Sequence, residues 1–319
     1  MRLLFFGTPK IAAAYLKFLA ALKGHEIIGV VTGSDRPKGR GLTLSAPPVK
    51  ETALRMGLAP IVQPEGLKEP GIAQHLEQLE PDLALVIAYG KILPLSIINI
   101  PKQGMINIHF SLLPKLRGAS PVEHAIWQGH EKTGVTLFQI EEGMDTGPIL
   151  AQAACPIAAR ETTFTLFEKL IPLGQQLLIE GLPQIAEKKA SYQQQNHQAA
   201  TYTRLIKKQD GAINWGQSAE AIDRQIRALC LWPRAFSHIG QRQIQLCKAE
   251  PQAQVSSGGQ PGEITRRERG VGFFVKCGIG ELLVLEVRPQ GAKTMSAWAF
   301  LQGLGPQTNA IVFGGSDHE

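Results

Sequence analysis

The sequence of 319 residues predicts an α/β protein: a doubly wound, mostly parallel sheet followed by a smaller domain of short β-strands. Over the first 190 residues, short apolar runs alternate with helical patterns, which is the order of βαβ units. Beyond a polar stretch, short apolar runs recur at turn spacing, which favours a small closed β-barrel of the OB type. The chain also exceeds the roughly 250 residues at which a single core stops growing, so two cores are expected.

The sheet domain takes its elements in a regular order. We expect strands at Leu3–Phe6, Glu26–Val31, Leu83–Ala88 and Met105–His109, helices at Lys10–Leu22 and Ile72–Leu79, and the segment Val49–Met56 between the second and third strands. A long amphipathic helix is predicted over Thr163–Lys188, with Pro172 and Pro183 as kinks or ends. Ligands of such sheets bind beyond the carboxyl ends of the strands, so the loops after Val31 and His109 are the expected binding loops.

A domain boundary is predicted in the polar stretch Lys188–Gln198, which has almost no apolar periodicity. The expected division is a catalytic domain over 1–189, a linker over 190–206, a β-barrel over 207–312 and a tail over 313–319. The barrel is assigned a helix at Ser218–Leu229 and strands at Ala235–Ile239, Gln243–Cys247, Glu263–Thr265, Val271–Cys277 and Leu282–Val287. Barrels of this kind often bind oligonucleotides, and a plain packing domain is the alternative.

Composition excludes several classes of protein. A hydrophobic share of 44% with a charged share of 19% excludes wholesale disorder. No stretch approaches the roughly 20 apolar residues of a membrane span, and the N-terminus shows no signal-peptide cleavage site, so a cytoplasmic protein is expected. The net charge is +6, and residues 191–319 carry 14 Lys/Arg against 10 Asp/Glu. This excess is compatible with a polyanionic partner, although ordinary enzymes share it.

Neither the cysteines nor most of the histidines have the spacing of metal ligands or of a disulfide framework. The cysteines, which we expect to be small buried hydrophobes, are Cys155, Cys230, Cys247 and Cys277. The histidines expected to be structural or solvated are His25, His75, His124 and His130. The sequence therefore predicts no metal site.

The strand MINIH carries the first candidates for chemistry. Asn107 and His109 share one face of it because side chains alternate along a strand. An amide donor beside an imidazole suits the stabilisation and protonation of an oxyanion on an attacked carbonyl. Asp145, in a tight loop between Gly143 and Gly147, could orient the imidazole or take a proton from an amine. The structural alternatives are buried-backbone partners for the first two residues and an Asx-turn for the third.

Three other sites are disfavoured. The segment Gly7–Pro9 lacks the second and third glycines of GxGxxG, so no dinucleotide is expected. The Asp-Thr-Gly at 145–147 occurs once, in surroundings unlike an aspartic protease. Ser111 lies two residues after His109 without a GxSxG elbow, which argues against a serine hydrolase.

Four segments follow one another between residues 5 and 150: FFGTP at 5–9, SDRPKGRG at 34–41, INIHFSLLPKLRGASP at 106–121 and GVTLFQIEEGMDTGPIL at 134–150. Together they resemble the methionyl-tRNA formyltransferase family. The HxSLLP and DTG pair belongs to the wider folate-dependent formyltransferase superfamily, whereas the basic loop and the extra C-terminal domain indicate the tRNA enzymes. The resemblance implies a Rossmann-like formyltransferase fold.

The resemblance further implies transfer of a formyl group from 10-formyltetrahydrofolate to the α-amine of methionine on initiator tRNA, with neither metal nor NAD. The matching catalytic residues are Asn107, His109 and Asp145. Asn107 and a protonated His109 would stabilise the oxyanion, while Asp145 would keep His109 charged and help to relay a proton from the amine.

The family also implies where the folate and the tRNA bind. The folate would lie along Ser111, Leu112, Leu113 and Pro114, with its pterin held by backbone groups near Leu85, Ile87 and Tyr89. Phe110 stands where many members have a small residue, which affects the expected shape of the pocket. The tRNA would contact the basic loop through Arg36, Lys38 and Arg40 and the start of the barrel through Lys207 and Lys208. A monomer is expected.

Two alternatives stay open at the level of sequence. The first is a formyltransferase for a purine precursor or an amino-sugar nucleotide, which would keep the same three catalytic residues. The second is an inactive RNA-binding module on a formyltransferase fold, which would be expected to have lost at least one of them.

Overall fold

The computed structural model describes residues 1–38, 43–252, 258–304 and 312–314, and the chain forms two units. The first unit comprises Met1–Gly118, Lys132–Pro156 and Glu168–Thr203. The second comprises Ala119–Glu131, Ile157–Phe167 and Arg204–Glu319. The limits predicted from sequence, 1–189, 190–206, 207–312 and 313–319, remain our proposal for the domains.

Within the described residues, eleven strands belong to the first unit. They are β1 (Arg2–Gly7), β2 (Glu26–Val31), β3 (Arg36–Lys38), β4 (Thr43–Ser45), β5 (Ile61–Val62), β6 (Leu83–Ile87), β7 (Met105–His109), β8 (Arg117–Gly118), β9 (Lys132–Gln139), β10 (Ile149–Pro156) and β11 (Tyr202–Thr203). Seven of them form one sheet in the order β10-β9-β7-β6-β1-β2-β5. The neighbours from β7 to β5 are parallel, and β9 and β10 add two antiparallel ladders. The prediction of a mostly parallel sheet is confirmed.

The helices of the described ranges belong to both units. They are α1 (Lys10–Ala21), α2 (Pro48–Arg55), α3 (Ile72–Glu77), α4 (Leu95–Ile98), α5 (Pro121–Trp127), α6 (Thr163–Ala186), α7 (Ala219–Ala228) and α8 (Ala297–Gln302). Strands β1 and β6 are buried along nearly their whole length, because helices cover both faces of a parallel sheet. The segment predicted at Val49–Met56 is therefore helix α2.

Helix α6 continues through both prolines, which the sequence predicts as kinks or ends. Neither proline ends the helix. Pro172 and Pro183 each withhold one main-chain donor, and the flanking turns keep the helical path on either side of that gap. The helix stops at Ala186, two residues before the predicted end.

The described part of the second unit contains an antiparallel sheet of six strands. They are β12 (Ala235–Ile239), β13 (Arg242–Gln252), β14 (Ile264–Glu268), β15 (Gly272–Lys276), β16 (Glu281–Pro289) and β17 (Met295–Ser296). Their order is β12-β13-β16-β15-β14, with β17 beside β16. Among the strands that the structure describes, no ladder joins β12 to β14. The segment 312–314 connects them instead: the amide of Phe313 donates to the carbonyl of Gly262, and the amide of Gly314 donates to that of His238.

The sequence predicts burial of all four cysteines. Cys155 and Cys277 are buried as predicted, whereas Cys230 and Cys247 are half-buried, so the prediction is correct for two of the four.

Phe110 packs on the ring of Tyr15 in α1, with the ring centroids 6.2 Å apart. The large residue at position 110 therefore belongs to the core between β7 and α1.

Candidate active site

The end of β7 presents Asn107 and His109 on one face of the sheet, as the alternation of side chains predicts. In the ladder with β9, Asn107 lies opposite Phe138 and His109 lies opposite Thr136. The His109 ring packs edge-on against the ring of Phe138 and is only 6% exposed, whereas Asn107 is half-buried. The imidazole therefore has a fixed orientation at the carboxyl end of the strand.

Asp145 lies in the loop between β9 and β10, and its carboxylate reaches the same place. Its Oδ2 lies 3.6 Å from Nδ1 of His109 and accepts a hydrogen bond of 2.7 Å from the amide of Gly118. Asp145 has a φ of 55°, which is uncommon for a residue with a side chain. The sharp turn thus directs the carboxylate towards β7.

The second ring nitrogen of His109 contacts the main chain. Nε2 lies 2.9 Å from the carbonyl oxygen of Leu116. Because a carbonyl oxygen can only accept, Nε2 carries a proton in this contact and Nδ1 faces the Asp145 carboxylate. An amide, an imidazole and a carboxylate on one strand end and one adjoining loop can bind a developing oxyanion and transfer protons.

Of two buried residues that the sequence analysis did not single out, Gln195 contacts this loop and Arg117 contacts Gln195. Gln195, in the predicted linker, donates from Nε2 to the carbonyls of Asp145 and Gly147, and its Oε1 accepts from the guanidinium of Arg117. The polar run around Gln195 gives no local signal for this role. Only burial distinguishes it: the Gln195 side chain is 5% exposed, whereas the neighbouring Gln193 and Gln194 are exposed.

The predicted folate segment Ser111–Pro114 forms a turn whose polar groups are already bonded within the protein. Ser111 Oγ donates to the carbonyl of Lys115, and the Ser111 carbonyl accepts from Thr136. The Leu113 carbonyl accepts from Gln152, and the carbonyls of Leu112 and Pro114 accept the amides of Lys115 and Thr201. These contacts fix the turn after His109.

The remaining predicted folate residues lie at the end of β6. Leu85 and Ile87 are buried in the sheet, and Tyr89 packs edge-on against Phe6. Burial raises the pKa of Tyr89 to about 12, so its phenol stays neutral at physiological pH.

A cavity of about 310 Å³ opens at the end of β9, directly before the Asp145 loop. Its lining comprises Leu95, Ile98, Asn99, Pro101, Gly104, Gln139, Ile140, Glu141 and Glu142. None of the seven residues predicted to bind folate lines it. The cavity combines apolar walls with carboxylate and amide groups, which is the composition of a small-molecule pocket.

The predicted tRNA-binding residues fall in three places. Arg36 is exposed on β3, which pairs with β4 in a hairpin whose start is held by an ion pair of 2.7 Å between Asp35 and Lys50. Lys38 ends β3, and Arg40 lies outside the described residues. Lys207 and Lys208 are exposed at a short 3₁₀ helix, Lys208–Gly211, in the second unit.

The ranges that the structure describes contain no group of three or more His, Cys, Asp or Glu side chains placed to hold a metal ion. Within the same ranges, no helix is long and apolar enough to cross a membrane. His124, one of the histidines expected to be structural, is buried, and its Nε2 lies 3.1 Å from the carbonyl of Arg204.

Comparison with known proteins identifies the fold and the family. The model of the formyl transferase family matches residues 1–182, and that of the formyl transferase C-terminal domain matches 205–305. An N-formyltransferase from Helicobacter canadensis, solved with folinic acid and dTDP-3-aminofucose, has a TM-score of 0.66 at 19% identity over 92% of this chain and all of that one. At that identity, the likeness shows the fold alone.

Relatives with higher identity narrow the family. The methionyl-tRNA formyltransferase of Pseudoalteromonas translucida is 40% identical over 95% of this chain and 94% of its own length. The enzyme of the same name from Marinobacter nauticus is 40% identical over 95% of this chain and 96% of its own length. With both domain models matched in order and relatives aligned along nearly the whole length, the chain belongs to the methionyl-tRNA formyltransferase family.

Proposed function

We propose that this enzyme transfers the formyl group of 10-formyltetrahydrofolate to the α-amine of methionyl-initiator tRNA, giving formylmethionyl-tRNA for translation initiation. The observation that carries the proposal is the His109–Asp145 pair at the end of β7, beside Asn107 on the same face. It lies in a chain that methionyl-tRNA formyltransferases match over about 95% of its length.

The three side chains have different proposed roles in the transfer of the formyl group to an amine. As the amine attacks, negative charge grows on the formyl oxygen, and the Asn107 amide is a donor that stabilises it. The His109 ring joins it as a donor once one of its N–H groups turns from Leu116 or Asp145 to that oxygen. One proton leaves the attacking nitrogen and one reaches the nitrogen that loses the formyl group. Asp145 and His109 are the acid–base groups that carry these protons.

The cavity before the Asp145 loop suits the flat ring of a folate. Leu95, Ile98 and Ile140 supply apolar contacts, and Glu141 and Glu142 offer acceptors for the amino and amide hydrogens of a pterin. Its volume, about 310 Å³, is enough for the ring system but not for the whole molecule. We therefore propose the pterin there. The cavity lies at the amino end of β7, where Gln139 pairs with Ile106. The main chain of Leu85, Ile87 and Tyr89 and the turn Ser111–Pro114, towards the carboxyl ends of β6 and β7, are proposed to hold the rest of the folate.

The tRNA partner is proposed to contact the exposed cations of both units. Arg36 belongs to β3, Arg40 follows it in the sequence outside the described residues, and Lys207 and Lys208 follow the predicted linker. Exposed arginines and lysines neutralise phosphates without reading sequence. A monomer located in the cytoplasm is part of the same proposal.

A parallel assay of acceptors tests the function. The purified chain is incubated with 10-formyltetrahydrofolate and either methionyl-initiator tRNA, free methionine, glycinamide ribonucleotide or an amino-sugar nucleotide. We expect formylation of the charged tRNA at a rate at least 100-fold above that of each small amine. Faster formylation of a small amine would assign the site to another formyltransferase, and binding of tRNA without any turnover would leave an RNA-binding module.

The variant Asp145→Asn tests the catalytic assignment in the same assay. Loss of a charged group that supports the transition state lowers turnover by about two powers of ten. Glu187→Gln removes an exposed carboxylate just beyond α6 and serves as the control with unchanged turnover. Normal turnover of Asp145→Asn would remove Asp145 from the mechanism even if the tRNA is the substrate.

A further inference from the structure

Strand β8 and the residue before it touch both acid–base residues of the site. The carbonyl of Leu116 lies 2.9 Å from Nε2 of His109, and the amide of Gly118 donates to Oδ2 of Asp145 at 2.7 Å. Between these two main-chain contacts, the side chain of Arg117 turns inward and is 1% exposed. A shift of this short segment would therefore disturb His109 and Asp145 together.

The buried guanidinium of Arg117 has neutral partners. Nε and Nη2 both donate to Oε1 of Gln195, at 3.1 and 2.6 Å, and Nη2 also donates to Nδ1 of His197 at 3.1 Å. Nη1 lies 3.4 Å from the hydroxyl of Tyr202. A buried cation is costly unless it is paired, and the partners of Arg117 in the described part of the chain include no carboxylate. The arrangement therefore calls for an explanation other than ion pairing.

Gln195 connects this cation to the Asp145 loop. Its Nε2 donates to the carbonyl of Asp145 at 2.9 Å and to that of Gly147 at 2.6 Å. The amide thus uses both of its donor hydrogens on the loop and accepts both of its hydrogen bonds from Arg117. This full use orients the amide uniquely, since a flipped amide would place its NH₂ group against the guanidinium.

The loop needs such support. Asp145 has a left-handed φ of 55°, and Gly147 passes so close to the carbonyl of Gln139 that a Cβ at position 147 would overlap it. Two carbonyls held on either side of residue 146 fix the turn and hence the direction of the Asp145 carboxylate. Displacement of a catalytic group by about 1 Å can lower turnover about 100-fold.

We propose that Gln195, oriented by Arg117, is a positioning residue that holds the Asp145 carboxylate against His109 and Gly118. The inference rests on the proposed catalytic role of Asp145. It gives the predicted linker a function in the chemistry itself, because Gln195 and the strand β11, which pairs with β8, both lie within 190–206.

The variant Gln195→Glu keeps the contact of residue 195 with Arg117 but removes its hydrogen bonds to the Asp145 loop. A glutamate keeps the volume and the contact with Arg117, but it places a carboxylate oxygen against the two loop carbonyls in place of a donor. We expect kcat for methionyl-tRNA to fall at least 10-fold, while KM for each substrate changes less than about 3-fold. Gln194→Glu makes the same substitution at an exposed neighbouring position and should keep the wild-type kcat.

The decisive measurement repeats Gln195→Glu in the Asp145→Asn background. A residue that acts only through the Asp145 carboxylate has no further effect on kcat once that carboxylate is gone, so the double variant should match Asp145→Asn within about 2-fold. A second 10-fold loss in the double variant, or a wild-type kcat in Gln195→Glu alone, overturns the inference. A wild-type kcat in Asp145→Asn alone would instead overturn the proposed catalytic role.

Arg117→Lys provides a second route if Gln195→Glu does not fold, as judged by its thermal unfolding. Lysine keeps the positive charge but lacks the planar fork that donates twice to one oxygen. It should lower kcat, again with little change in KM and no further effect in the Asp145→Asn background. An additive loss there would show that Arg117 supports the fold rather than the carboxylate.

Discussion

At the scale of single residues, Asp210 illustrates a carboxylate that stabilises the second unit. Its two oxygens accept hydrogen bonds of 2.7 Å from Arg204, and Oδ2 also accepts the amide of Lys207. The bonds from Arg204 lower the pKa of the Asp210 carboxyl below its usual value. A lowered folded-state pKa means that this stability is present above the unfolded pKa of about 3.9 and is lost as pH falls through the folded value.

Asp210→Asn should therefore lower the melting temperature at pH 7 by about 2–4 °C and reduce the loss of stability between pH 5 and pH 3. Thermal unfolding followed by circular dichroism at several pH values measures both effects. Glu187→Gln, which alters the exposed pair with Lys189, is the matched control and should keep the wild-type pH profile. An unchanged acid profile in Asp210→Asn would show that Arg204 does not stabilise the ionised form.

The sequence predicts individual site residues unevenly. Asn107 and His109 are predicted to share a face because the alternation of a strand is local, and the structure has them so. Gln195 is different: it lies in the run QQQ, and nothing in the neighbouring residues separates it from Gln193 or Gln194. Its partners Asp145 and Gly147 are about 50 residues away, so its role follows only from tertiary structure.

At the scale of elements, helix α6 depends on a close approach to α1. The Tyr15 hydroxyl donates to the carbonyl of Ile171 at 3.1 Å, and a Cβ built on Gly174 would overlap that hydroxyl. Tyr15 is fully buried and has no room to withdraw. The missing side chain at position 174 therefore lets the two helices meet.

Gly174→Ala should destabilise the protein by about 1–3 kcal/mol, the usual cost of overpacking. Gly181→Ala is the matched substitution in the same helix. A Cβ there would lie 2.8 Å from a methyl of Leu137 and 3.1 Å from one of Leu150, so a much smaller shift of side-chain ends accommodates it than at position 174, where the Cβ would overlap the Tyr15 hydroxyl. Replacement of a glycine inside a helix by alanine also raises the free energy of unfolding by about 0.5–1 kcal/mol, so Gly181→Ala should leave the stability nearly unchanged. Equal denaturant midpoints for the two variants would contradict this assignment.

The sequence also predicts some strands and misses others, depending on whether a local pattern marks them. The predicted strand Ala235–Ile239 is the observed β12, because its ends are marked by turn residues. The strands β8 and β11 have two residues each and pair Arg117 with Tyr202 across 85 positions, so no local pattern marks them. The predicted linker, 190–206, therefore includes a strand of the first unit.

At the scale of the whole molecule, positive charge affects how the enzyme binds its proposed substrate, a tRNA. The chain carries a net charge of +6, and each unit has exposed cations, such as Arg36 on the first unit and Lys207 on the second. Net charge attracts a polyanion over a distance, whereas bound counterions are released only where a cation touches a phosphate. The dependence of tRNA affinity on salt concentration distinguishes the two effects.

Arg36→Ala and Lys17→Ala each lower the net charge by one, and both positions are exposed, on β3 and α1. The slope of log affinity for methionyl-tRNA against log salt counts the phosphates that are neutralised. We expect Arg36→Ala to make that slope shallower by about 1 and Lys17→Ala to leave it unchanged. Filter binding between about 50 and 200 mM KCl measures the slope. Equal slopes in both variants and the wild type would mean that Arg36 contributes only to overall charge, and the tRNA contact would then have to lie elsewhere in the molecule.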